Sequence, residues 1–121
     1  MITQQPTNND KLQMLQDGIA RLKLEFIATL PHRVAALDGM MDELYQKDAD
    51  IEQVIEAIGR QAHKLHGQAG TFGFGEVGSI AARLEQEVIT ALEGPRPLST
   101  EEIEGQLVAL LDVIEASVLA A

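Results

Sequence analysis

The sequence predicts an all-α protein, an up-down antiparallel four-helix bundle whose N-terminal helix is kinked or split. Three observations carry that prediction. Apolar residues recur at spacings of three and four in successive stretches, as they do along one face of a helix. No segment alternates apolar and polar residues with the period of a strand. The connections between the apolar stretches are short, which favours antiparallel neighbours. At 121 residues, of which 45% are hydrophobic, the chain suits one domain with a real core.

The elements follow in order. Residues 1–8 are polar, contain Pro6 and read as a flexible N-terminal tail, which leaves 9–121 for the bundle domain. The first stripe is Leu12, Leu15, Ile19, Leu22, Phe26, Leu30, Val34, Leu37, Met41 and Leu44. Gly18 and Pro31 interrupt its backbone but not its phase. The missing Pro31 N–H predicts one long bent helix, or a short and a long helix in register. Asp48 or Asp50 can cap the second helix, whose stripe is Ile51, Val54, Ile55, Ile58, Ala62, Leu65 and Ala69. The glycine-rich stretch Gly67–Gly75 should loosen or end that helix. Val77, Ile80, Leu84, Val88 and Leu92 form the third stripe, stopped by Gly94-Pro95. Ser99 with Glu102 is a capping box opening the last helix, which carries Ile103, Leu107, Leu110, Leu111, Ile114 and Val118. All four stripes read as core. Their width looks sufficient to fill one bundle, so a monomer is expected.

Charge and composition exclude several functions. Nine Lys+Arg against nineteen Asp+Glu give a net charge of −10, the wrong sign for neutralising nucleic-acid phosphates. Three Phe and one Tyr offer little for base stacking. Without cysteine there is no disulfide framework, thiolate nucleophile or zinc-thiolate site. No secretory signal pattern opens the chain and no apolar run reaches membrane-spanning length, so a cytoplasmic protein is expected. Met1 and the closing Ala120-Ala121 suit a stand-alone chain.

The sharpest local feature is Ala62-His63-Lys64-Leu65-His66-Gly67. At about 100° per residue, His63 lies roughly 130° from the centre of the apolar face, toward solvent. His66 sits on the flank, nearer the core boundary. Gly59, Gly67 and Gly70 share the surface around His63, with Arg60 and Glu56 further round. A helix-interior glycine costs about 1 kcal/mol relative to alanine. Close approach of a partner, or a bulky group on the imidazole, offsets that cost. From Glu56 to Glu76 there is no intervening acidic residue, while Arg60, His63, Lys64 and His66 fall in the gap. An uncrowded positive patch on an acidic protein suits an anion or an acidic partner. A neutral imidazole is a good nucleophile toward phosphorus.

These residues resemble the histidine-containing phosphotransfer (HPt) domains of phosphorelays. That family's signature has Leu two residues after the histidine, usually Lys three after, Gly four after and Gly ten after. Here these positions are Leu65, His66, Gly67 and Gly73, counted from His63. Val77, Ile80, Leu84 and Glu85 match the apolar pattern and closing polar residue of the family's next helix, and Leu30-Pro31 its early Leu-Pro segment. The resemblance implies a phosphocarrier without kinase activity or a nucleotide site. Its His63 would take a phosphoryl group from a receiver-domain aspartate and pass it to another receiver. The implied partners are response-regulator receivers and a hybrid histidine kinase; Mg²⁺ is expected on the receiver, with no cofactor of the chain's own. Glu85 would hold Nδ1 of His63, Gly67 would keep space for the phosphoryl group, and His66 stands where a permanent cation is usual.

The blander alternatives are few. His63 can be an ordinary surface histidine, and the chain a non-phosphorylated module that binds or sequesters a receiver. His63 and His66 at i, i+3 are a possible metal pair, although only Glu56 is a nearby carboxylate. The glycine stretch lacks the Gly-Lys-Ser/Thr ending of a phosphate loop. Phe72 reads as a plug for the bundle end. Phe74 is a candidate for docking together with Arg60, Lys64, Gly67 and Gly70, with His32 and Arg33 of the first helix adding positive charge. Glu101, Glu102, Glu104 and Asp112 read as a solvated face.

Overall fold

The computed structural model describes residues 7–94 and 99–120. Among them are four helices and no strand: α1 (Asn8–Glu43), α2 (Ile51–Thr71), α3 (Gly75–Glu93) and α4 (Thr100–Ala120). Each helix packs on the next and α4 returns to α1, so the order around the bundle is that of the chain. The α2–α3 pair is the most intimate.

Each start has a local cause. Thr7 and Asp10 form a reciprocal capping box at the head of α1. Helical structure therefore begins inside the expected 1–8 tail; residues 1–6 lie outside the described residues. The Thr-x-x-Asp spacing was the available signal. α1 then runs unbroken through Pro31 rather than splitting there. Asp50, not Asp48, caps α2 by accepting from Gln53 N–H. Ser99 Oγ accepts from Glu102 N–H to open α4.

As expected, α2 ends within the glycine-rich stretch, continuing through Gly67 and Gly70 to Thr71. The stop comes at Gly73, whose φ of +83° reverses the chain. Phe74 N–H then donates to Ala69 O at 2.9 Å, satisfying a carbonyl of the last turn and aiming the chain into α3. Gly94 closes α3 with its N–H on Thr90 O at 2.8 Å; the expected Pro95 stop lies outside the described residues.

The core holds Leu30 and Leu37 of α1, Ile55, Ile58 and Leu65 of α2, Val77 and Leu84 of α3, and Ile103, Leu107, Leu110 and Ile114 of α4. Phe26, Phe72 and Phe74 cap one end, Phe26 lying 5.4 Å and 5.5 Å from the other two ring centres. One part of the expected core is not core. Leu12, Leu15, Ile19 and Leu22 are about half exposed, and so is much of Val118. The reason is length: at 1.5 Å per residue, the 36 residues of α1 span about 54 Å against about 32 Å for the 21 of α2. The first four turns of α1 therefore run past the end of the bundle.

Candidate functional site

The α2–α3 pair positions the site. Gly59 faces α3, and a Cβ there would meet Val88 Cγ1 at 2.8 Å. It is a buried packing glycine, so the expected surface patch around His63 loses one member. The Gly59–Val88 approach draws the two helices together where Glu85 must reach across to α2. Further along, Gly78 lies against the backbone of His66 and Gly70. Gly67 and Gly70 are the open ones, with no atom within 4 Å of where a Cβ would stand.

On this frame His63 stands out from α2 with 73% of its side chain exposed. Its Nδ1 lies 3.0 Å from Oε1 of Glu85 on α3. An ionised carboxylate only accepts, so Nδ1 carries the hydrogen, and in the neutral ring the free lone pair is on Nε2. Glu85 is half-buried, which limits the positions its carboxylate can take. Its other oxygen, Oε2, is buried and without a hydrogen-bond partner. His66 Nδ1 lies 3.9 Å from it, within ion-pair reach but too long for a hydrogen bond. His66 is the less exposed of the two imidazoles, half of its side chain being exposed, in keeping with its place on the flank of the apolar face. One carboxylate thus serves two imidazoles a single helical turn apart.

Two grooves lie along the α2–α3 seam, one at His63 and one at His66. One, of about 360 Å³, is mainly apolar and includes Arg60, Lys64, Val88, Ile89 and Leu92. The other is lined by small residues, among them Gly67, Gly70, Gly78 and Ser79, with His66 at its edge. Arg60 and Lys64 line the same groove as His63, whereas Gly67 and Gly70 line the groove at His66. Val88 and Leu92 were read only as core stripe, and Ile89, next to Val88 but outside that stripe, was not singled out. Ile89 stays partly exposed in the groove beside His63.

Phe74 does not belong to this surface. It is 8% exposed and packs on Phe26, because the reversal at Gly73 turns it inward; Phe72 is the more open of the two. Arg33 is also committed elsewhere. It donates to Gln68 and Thr29 and lies 5.7 Å from the Phe26 ring centre, with burial lowering its pKa from the ordinary arginine value. It pins α1 to α2 rather than standing free for docking, while His32 is exposed. Among the described residues no group of three or more side chains is placed to hold a metal ion, and no helix is long and apolar enough to cross a membrane.

No curated protein and no solved structure matches the chain. A family model does: the Hpt domain, over residues 21–117. That span includes His63, Glu85 and all of the bundle proper, and by it the chain belongs to the Hpt domain family.

Proposed function

We propose that His63 is the phosphoryl carrier of a phosphorelay, taking its group from the aspartyl phosphate of one receiver domain and giving it to another. Hpt domains act in histidine phosphotransfer in two-component signalling and are phosphocarriers rather than kinases. The observation that carries the assignment to this residue is the exposed imidazole held through Nδ1 by Glu85, with Nε2 free.

In this reading the Nε2 lone pair forms the new N–P bond in line with the breaking P–O bond, whose electron pair returns to the receiver carboxylate. Nδ1 keeps its proton throughout. The positive charge that develops on the ring is met by Glu85, which also fixes tautomer and ring orientation. The open surface at Gly67 leaves room for the phosphoryl oxygens, and Arg60 and Lys64 supply positive charge nearby. The apolar groove with Ile89 and Leu92 suits an apolar face of a receiver. Mg²⁺ belongs to the receiver side, and a hybrid histidine kinase supplies the first receiver.

The test is transfer from a receiver pre-charged on its aspartate to wild type and to His63→Gln. Acid-labile, alkali-stable label on wild type alone supports the reading. Label that survives in His63→Gln and vanishes in His66→Gln would move the carrier to the neighbouring imidazole. Binding without label from several receivers would leave a sequestering module.

A further inference from the structure

The overhang of α1 is unexplained by phosphotransfer. Leu12, Leu15 and Ile19 precede the residues matched to the family, and the overhang reaches beyond the bundle end opposite the α1–α2 turn. Yet it is not a polar extension. Leu12, Leu15, Ile19 and Leu22 are 53%, 60%, 48% and 49% exposed and continue the core stripe in phase. From Leu12 to Phe26 their spacing is 3, 4, 3, 4, the heptad period of a coiled-coil seam.

We propose that this seam pairs with the same seam of a second copy, in antiparallel orientation about a two-fold axis at the level of Asp17. Leu12 then meets Leu22 of the other copy, and Leu15 meets Ile19, giving four apolar layers. Charge supports a second copy as the occupant. The chain as a whole carries −10, which opposes self-association, but between Asn8 and Glu25 three basic residues (Lys11, Arg21, Lys23) balance three acidic ones (Asp10, Asp17, Glu25).

Charge also chooses the orientation. Lys11, Gly18 and Glu25 occupy the same flanking position of successive heptads. In the antiparallel pairing equivalent flanks face each other, so Lys11 of each copy meets Glu25 of the other, twice over. In a parallel pairing Lys11 would face Gln16, and Gly18 would face Lys23, with no opposite charges matched. Neither Lys11 nor Glu25 has an ion-pair partner in its own chain among the described residues. Gly18, one residue from the axis, faces its own counterpart. Apart from the backbone of its own helix and its chain neighbours, no atom of its chain lies within 4 Å of where its Cβ would be, so no packing within the chain calls for a glycine, whereas a close approach of two copies near the axis does.

The geometry also uses the whole overhang. With Leu12 beside Leu22, Asn8 comes level with Phe26 of the other copy, so each tip ends where the other bundle begins. The exposed Val118 and Leu119 lie on α4 at that same bundle end. Two heptads are a short seam, so the dimer is concentration-dependent.

The experiment is sedimentation equilibrium of the full chain from about 1 µM to about 1 mM, the range in which short interfaces dissociate. Wild type should rise from 13.1 kDa toward twice that mass. Ile19→Glu, at an exposed position that leaves the bundle intact, should stay at monomer mass throughout. Lys11→Glu should weaken the dimer about tenfold, and adding Glu25→Lys should restore it. A wild type that stays monomeric to the top concentration overturns the proposal and leaves the seam to another protein. So does an Ile19→Glu variant that still dimerises. A double charge reversal that fails to restore association overturns the antiparallel pairing.

Discussion

At the residue scale, the proposed chemistry rests on one carboxylate between two imidazoles. Glu85 holds His63 through Oε1 while Oε2 is buried and unpaired, 3.9 Å from His66. Removing the carboxylate frees the ring to rotate and leaves Nδ1 without its acceptor. Glu85→Ala should therefore slow phosphoryl transfer to His63 about 10- to 100-fold, the usual cost of losing the group that orients a functional imidazole. Glu85→Gln, which keeps an acceptor but no charge, should lie between the two in single-turnover transfer. His66, half exposed and 3.9 Å from Oε2, stands where a lysine would be a permanent cation. If it assists the phosphoryl oxygens, His66→Ala should slow single-turnover transfer to His63 and His66→Lys should preserve or raise the rate. Equal rates in all three proteins would remove His66 from the mechanism.

At the element scale, glycines of one helix do opposite things. Gly59 is required by packing: a Cβ there would press on Val88 Cγ1 at 2.8 Å, and a valine on a helix has little rotamer freedom with which to yield. Gly59→Ala gains about 1 kcal/mol of helix propensity but overpacks the α2–α3 seam by about 1–3 kcal/mol. The net expectation is an unchanged or lowered thermal midpoint. Gly67 has open space, so Gly67→Ala keeps the propensity gain, and its midpoint should rise. The added methyl stands where the proposed function needs room for the phosphoryl group, so its transfer rate should fall. Calorimetry with transfer kinetics on the pair separates the roles; a Gly67→Ala protein that is both more stable and equally active would show that the space is not used.

At the scale of the whole molecule, α1 and α4 close the bundle. The turn after α1 is fastened to α4 by the hydroxyl of Tyr45 donating to Glu104. That hydrogen bond, with desolvation and the charges of Glu104 and Glu101, raises the Tyr45 pKa above its ordinary 10.0. Because the raised value belongs to the folded state, the contribution is complete below pH 10 and lost as pH climbs through the folded pKa. The thermal midpoint of wild type should fall more steeply above pH 10 than that of Tyr45→Phe, measured by circular dichroism.

Much of this was legible in the chain itself. Four helices, their stripes, the Ser99 and Asp50 caps and the outward angle of His63 all follow from spacing and side-chain chemistry, because these are properties of one helix at a time. So does the Thr7 cap, whose spacing to Asp10 was there to be read. What depends on two helices at once was not open to that reading. Gly59 and Gly67 lie on either side of His63 on a helical wheel, about 80° apart, and the position of α3 makes one a packing contact and leaves the other open. Phe74 turns inward because Gly73 reverses the chain, an angle no periodicity encodes. Leu12 and Leu30 have the same residue type and phase, yet one lies in solvent and the other in the core. A periodic stripe specifies which face of a helix is apolar; whether that face is covered depends on how far the neighbouring helices extend.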